Sequence, residues 1–255
     1  MSLPLKVWVE GEGALLRLRL YRPKANIVDA AMIAALSDAL AEHESHASLS
    51  AVLLDAEGPH FSFGASVEEH LPAQAAAMLA GLHRLVLRMV AFPVPILVAV
   101  RGQCLGGGLE VALAGHLLFV APDAQLGQPE IKLGVFAPAA SCLLPERVSR
   151  VVAEDMLFSG RSIDGAEAVR VGIANAADAD PSQAAHAYFE THLALHSASS
   201  MRHAVRAARQ GLAERLAPRL AAVESLYMDE LMATRDAVAG LEGFIAKRPV
   251  NWENR

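Results

Sequence analysis

The segment PVPILVAVRGQCLGGGLEVALAG, Pro93 to Gly115, constrains the fold of this chain more than any other stretch. Pro95 to Val100 is a short unbroken apolar run holding two valines, the pattern of a strand buried on both faces. Arg101 to Gly106 turns the chain. From Gly107 the apolar residues Leu109, Val111, Ala112 and Leu113 make a helix, and Gly115 is its stop. Gly106, Gly107 and Gly108 fall where loop becomes helix, and a backbone without side chains can be approached closely there. The first N–H groups of a helix have no partner inside it and carry partial positive charge. This junction can therefore offer bare donors to an anionic oxygen. Glu110 follows just inside the helix, on the side of that site if the first turn faces it.

The rest of the chain sets this unit in an α/β core with parallel strands. Lys6 to Glu10 and Ala14 to Leu20 read as a hairpin with Gly11 and Gly13 in its turn. Leu16, Leu18 and Leu20 alternate with Arg17 and Arg19, which predicts a half-buried strand. Tyr21 to Ile27 is a loop, and Asp29 caps a helix running to Glu44. Ala51 to Asp55 is a buried strand, GPHFSFGAS at 58–66 a loop, and Leu71 to Phe92 an amphipathic helix with Pro72 in its first turn. His116 to Ala121 is a further strand; 124–134 is a loop or short strand holding Glu130. From Pro181 onward only helices are expected, at 181–196, 199–213 and 217–240, before a tail. The C-terminal helices carry an apolar face, Leu220, Val223, Leu226, Tyr227 and Leu231, that one subunit is not expected to bury fully. Residues 1–195 form the core on this reading, and 196–255 a helical C-terminal region.

Composition narrows the function. Hydrophobic residues make up 53% and aromatics 5%, so aliphatic side chains and alanine do the packing. A net charge of −6 argues against nucleic-acid or acidic-membrane partners. Cys104 and Cys142, the two cysteines, make neither a disulfide framework nor a zinc set and read as reduced buried thiols of a cytoplasmic protein. The opening MSLPLKVWVE has no basic start before an apolar core, and 85–100 is broken by Arg88, Pro93 and Pro95, so neither a signal peptide nor a membrane span is expected. The histidines lack metal-ligand spacing, and no metal is expected. GxGxxG, GxxxxGK[ST] and GxSxG are absent, which sets aside dinucleotide binding, P-loop chemistry and a serine-hydrolase elbow. Each remaining feature has a bland explanation by itself. A glycine triplet can be a close-packing device, a first-turn glutamate complements a helix dipole, and Glu130 alone is an ordinary carboxylate.

Four motifs in order change that reading. RPKAN at 22–26, FGAS at 63–66, LGGGLE at 105–110 and GQPE at 127–130 together resemble the crotonase superfamily, the enoyl-CoA hydratase/isomerase family, over nearly the whole length. The resemblance implies a ClpP-like spiral of ββα units with a helical C-terminal region that drives assembly into a homotrimer or a dimer of trimers. It implies oxyanion donors at the amides of Ala65 and Gly107, and catalytic carboxylates at Glu110 and Glu130. It also places Lys24, Ala25 and Ile27 near the adenine of CoA, with Phe244 and Lys247 approaching the nucleotide from a neighbouring subunit. The CoA thioester is the substrate, and no separate cofactor is expected.

The chemistry fits these residue types. Two fixed amides stabilise the enolate formed when a nucleophile attacks the carbon β to a thioester, and losing one such donor costs about 3–4 kcal/mol. A pair of carboxylates around one water can supply both base and acid. Two glutamates rather than one point to hydration or its reverse, ahead of isomerisation or a non-catalytic acyl-CoA- or RNA-binding role. Two departures stand out. After GQPE the chain runs Val135-Phe136-Ala137-Pro138-Ala139-Ala140-Ser141-Cys142 where relatives have a glycine-rich helix start, and Ser66 stands where many carry aspartate. Phe136, Ala137 and Pro138 are thus expected to line the acyl pocket, with helix 71–90, and to give it a shape of its own.

Overall fold

The computed structural model describes residues 3–255. Strands β1 (Leu5–Glu10) and β2 (Leu15–Leu20) form the expected hairpin, turned by Gly11–Gly13. Sheet order continues from β2 to β3 (Ala51–Ala56), β4 (Ile96–Val100), β6 (Leu117–Val120) and β9 (Ala176–Ala177), every step after the hairpin being parallel. A second, smaller sheet joins β5 (Gln103–Leu105), β7 (Gln125–Gly127) and β8 (Ser162–Asp164), with β7 between the other two. The sequence reading held β5 inside a turn, because three residues show no period.

Helices α1 (Ala30–His43) and α2 (Ala75–Val90) cover one face of the large sheet. Asp29 caps α1 as expected, its Oδ1 accepting the Met32 amide at 2.9 Å. The helix expected from Leu71 starts later: Leu71 is extended and Pro72 lies in the turn before α2. Helix α3 (Gly107–Ala114) follows β5, with every residue buried. Its C-terminal carbonyls are held by arginines, Arg147 donating to Leu113 O at 3.1 and 2.8 Å and Arg209 to Gly115 O at 2.8 Å. Helices α4 (Pro138–Arg147), α5 (Arg150–Ser159), α6 (Gly165–Val171) and α7 (Pro181–His192) complete the core.

The half-buried reading of β2 is corrected. Leu16, Leu18 and Leu20 enter the main core, but Arg17 is only 8% exposed on the other face. Asp55 accepts from Arg17 at 3.1 Å, from Arg19 at 2.7 Å and from Ser182 of α7 at 2.7 Å. Burial raises the Asp55 pKa, and the bonds and charge of Arg19, with Ser182 and Arg17, more than offset this and hold it below the usual carboxylate value. Alternating charge here marks an ion-paired floor beneath a helix, not a wet face.

The C-terminal region differs as well. Helix α8 (Ala198–Ser225) runs unbroken through Gly211 and Pro218, where two helices were expected. It widens into one π-helical turn, Leu226–Glu230, and a 3₁₀ turn, Leu231–Ala233, before α9 (Arg235–Ile245). Leu216 and Leu220 of α8 belong to the main core. Tyr227, Ala237 and Leu241 form another cluster with Met78 and Leu79 of α2 and with Val135. The bond from Glu224 Oε2 to His83 Nδ1, 2.7 Å, fastens α8 to α2 beside that cluster.

Candidate active site

The loop before α3 brings two backbone segments together. Ser62 N donates to Gln103 O at 3.0 Å and Leu105 N to Ser62 O at 3.0 Å, so residues 62–65 run alongside β5. Gly107 lies against Ala65 so closely that a methyl group on it would stand 2.9 Å from the Ala65 methyl and 3.1 Å from Ala65 N. Gly107 is the first residue of α3, so its amide has no intrahelical acceptor. Among the described residues neither that amide nor the amide of Ala65 has a hydrogen-bond partner. Two free donors side by side are the element an oxyanion needs.

Glu110 sits one turn into α3 with 3% exposure. Its Oε1 accepts the Ala140 amide at 2.8 Å. That amide belongs to the first turn of α4, whose N-cap residue, Ala137, has no side-chain acceptor. Glu110 thus takes the place of a missing cap and stands at the positive end of the α4 dipole. Burial pushes its carboxyl above the ordinary value, and the amides of Ala140 and Ala139 draw it partly back.

Glu130 lies in the 3₁₀ turn Pro129–Leu133, which follows directly on β7. Gly106, at φ +50°, makes room for it: a Cβ there would be 2.5 Å from Glu130 Oε1. The buried Gln128 amide, oriented with nitrogen toward Glu130, donates to Oε1 at 3.2 Å and Oε2 at 3.1 Å. Burial raises the Glu130 pKa, and the negative charge of Glu110 raises it further. The two carboxyls therefore sense one another, and like charges in a confined site favour a pair that holds a proton. Such a pair can accept a proton from water and deliver one to carbon.

The pocket residues expected from sequence gather beside this pair. Ala137 and Pro138 are buried at the start of α4, and the Phe136 ring meets Tyr227 at 5.3 Å, edge to face. Val67, Leu71, Met78 and Leu79 add to the same apolar cluster. Residues 25–28 run next to the donor loop, with Phe63 N bonded to Ala25 O and Val28 N to Gly64 O, both at 2.9 Å. Lys24 is exposed at φ +96°, and Ile27 half-buried. Phe244 and Lys247 are exposed at the end of α9, and no hydrogen bond or ion pair among the described residues ties them to residues 22–27. Ser66 bonds Glu68 at 3.0 Å.

Two residues escaped the sequence reading. Of the apolar face Leu220, Val223, Leu226, Tyr227 and Leu231, expected not to be fully buried by one subunit, Tyr227 and Leu220 are buried within the chain. Gln128 was noticed only as part of GQPE. No periodic signal separates either from its neighbours.

Amides converging beside two interacting carboxylates, on a sheet-and-helix core with this order, define an acyl-thioester enzyme. The family description "Enoyl-CoA hydratase/isomerase" matches residues 10–255, and the chain belongs to that family. It is 65% identical over 254 residues to cyclohexa-1,5-dienecarbonyl-CoA hydratase of Thauera aromatica, covering 100% of this chain and 98% of that one. It is 30% identical to 2,3-dehydroadipyl-CoA hydratase of Escherichia coli K12, covering 97% of this chain and 98% of that one. Its fold matches the crystal structure of an enoyl-CoA hydratase/isomerase from Pseudoalteromonas atlantica at a TM-score of 0.85 and 25% identity, over 98% of this chain and 99% of that one. The crotonase fold expected from sequence is the fold observed.

Proposed function

We propose that this chain is a hydro-lyase that adds water to cyclohexa-1,5-diene-1-carbonyl-CoA and forms 6-hydroxycyclohex-1-ene-1-carbonyl-CoA, a step of anaerobic aromatic degradation. The observation that carries the reading is the 65% identity with the Thauera aromatica hydratase over an alignment that spans the whole chain. The amides of Ala65 and Gly107 receive the thioester oxygen. One glutamate takes a proton from water as the hydroxide adds to the ring carbon β to the carbonyl. Charge then spreads through a dienolate onto the held oxygen. A proton delivered to the far carbon of the diene restores the thioester and leaves one ring double bond. Glu110 and Glu130 share the base and acid roles, and the two must reach carbons on opposite sides of the ring. The apolar cluster of Phe136, Leu71, Met78 and Leu79 supports a flat pocket for that ring.

Lys24, Ala25 and Ile27 serve the adenine end of CoA on this reading, and Phe244 and Lys247 reach the nucleotide from a neighbouring subunit. Exposed Leu226 and Phe244, at 44% and 55%, support a homotrimer or a dimer of trimers. No described helix is long and apolar enough to cross a membrane. The buried thiols of Cys104 and Cys142 support a cytoplasmic setting. Turnover of the cyclic dienoyl thioester and of crotonyl-CoA by the same preparation tests the substrate. The cyclic compound is expected to react faster, and faster hydration of the linear one overturns the ring assignment.

A further inference from the structure

Tyr227 has no exposed surface, yet among the described residues its hydroxyl has no hydrogen-bond partner. An unmade bond at a buried hydroxyl costs about 1–3 kcal/mol, so such groups are rare unless something else supplies the partner. The residue is aimed by an uncommon piece of backbone. It lies in the π turn 226–230, a rare distortion that is frequent at functional sites. Phe136 holds its ring from the side, and Met78, Leu79 and Val135 complete the apolar collar. Phe136, against which the phenol packs, leads directly into the start of α4, whose Ala140 amide is bonded to Glu110, so the ring stands along the same wall as that carboxylate. Burial, and then the charges of Glu130 and Glu110, raise the Tyr227 pKa, so the phenol stays protonated.

We infer that the Tyr227 hydroxyl donates a hydrogen bond to the oxygen that enters the substrate, first as the water held between Glu110 and Glu130 and then as the hydroxyl of the product. This deepens the hydratase reading and rests on it. Tyr227 keeps its proton throughout; the proton taken from water goes to a glutamate, and the one delivered to carbon comes from a glutamate. The tyrosine fixes where the oxygen sits relative to the ring and favours an acyl group bearing a hydroxyl there over one without it.

The test is Tyr227→Phe, with binding of two thioesters compared: 6-hydroxycyclohex-1-ene-1-carbonyl-CoA and cyclohex-1-ene-1-carbonyl-CoA, which lacks the hydroxyl. The variant is expected to bind the hydroxylated compound about 3–10-fold more weakly, one hydrogen bond's worth, and the other unchanged, while kcat for hydration falls by about 10-fold or more. Its thermal midpoint is expected to equal or exceed that of the parent, because the change removes an unpaired hydroxyl and no contact. Equal weakening toward both thioesters, or an undiminished kcat, overturns the inference. Failure of the parent to hydrate the cyclic dienoyl thioester removes the substrate reading instead. The same split, measured with 3-hydroxybutyryl-CoA against butyryl-CoA, then decides the role of Tyr227.

Discussion

Glu110 and Ala140 belong to different helices, and the 2.8 Å bond between carboxylate and amide makes the proposed reacting group of one the cap of the other. One member of the proposed acid–base pair and the segment that begins at Pro138 are thus joined by a single contact.

That double duty separates two substitutions. Glu110→Gln retains an oxygen that accepts from Ala140, so α4 stays capped while general acid–base chemistry is lost. Hydration is expected to drop by about 10²–10⁴-fold. Glu110→Ala should show the same loss and cost about 1 kcal/mol more in stability, the value of a missing cap. Denaturant midpoints alongside turnover check both.

The pair sets a sign for pH. Glu130 is held above the usual carboxylate range by burial and then by Glu110. In Glu110→Gln the second cause is gone, so Glu130 should titrate lower than in the parent; carboxyl carbon NMR reads this directly. A carboxyl raised on folding binds its proton more tightly in the native state, so its contribution to stability falls as pH rises through the folded value. Glu110→Gln removes that loss. It should therefore melt higher than the parent at alkaline pH, by about 2–4 °C per kcal/mol recovered.

Gly107→Ala tests the donor pair without adding charge. Alanine suits the first turn of a helix, but its methyl must crowd Ala65, 2.9 Å away. A loss of about 10²–10³ in kcat is expected from misplaced amides, with stability changed by less than about 1 kcal/mol. Activity near the parent's would remove Gly107 from the oxyanion role.

Asp55 is a carboxylate in a structural role, held by Arg17, Arg19 and Ser182. Asp55→Asn leaves Arg17 and Arg19 with one fewer negative partner beneath α7 and should cost about 3–5 kcal/mol. Because the native Asp55 pKa is lowered, its stabilisation is full above the unfolded value of about 3.9 and is lost as pH falls through the folded value. The parent should therefore lose stability in acid below about pH 4 more steeply than Asp55→Asn, which chemical denaturation across that range measures.

Much of this molecule is legible from residue order. Asp29 announced its helix, the apolar runs announced β3 and β4, and the glycine junction announced donors, because each signal is local. The failures were tertiary. Arg17 looked solvated because the neutralising Asp55 and the covering α7 lie far along the chain. The sequence reading ends one helix at 213 and starts another at 217, but packing of Leu216 and Leu220 into the main core carries α8 straight across. Tyr227 looked like a subunit contact because nothing beside it betrays a π turn or an inward hydroxyl. The carboxylates were found through four short phrases, while their pairing became visible only in space.

Phe136, just before α4, meets Tyr227, in the turn that ends α8, and these two pieces would wall the proposed acyl pocket, whereas Gly107 and Glu110 stand on α3 inside the sheet-bound core. Reactivity and substrate choice are consequently housed in separable pieces. Exchange of the residues after Ser225 with those of a relative, Tyr227 kept, should re-tailor which thioester fits and leave the glutamates and amides in place.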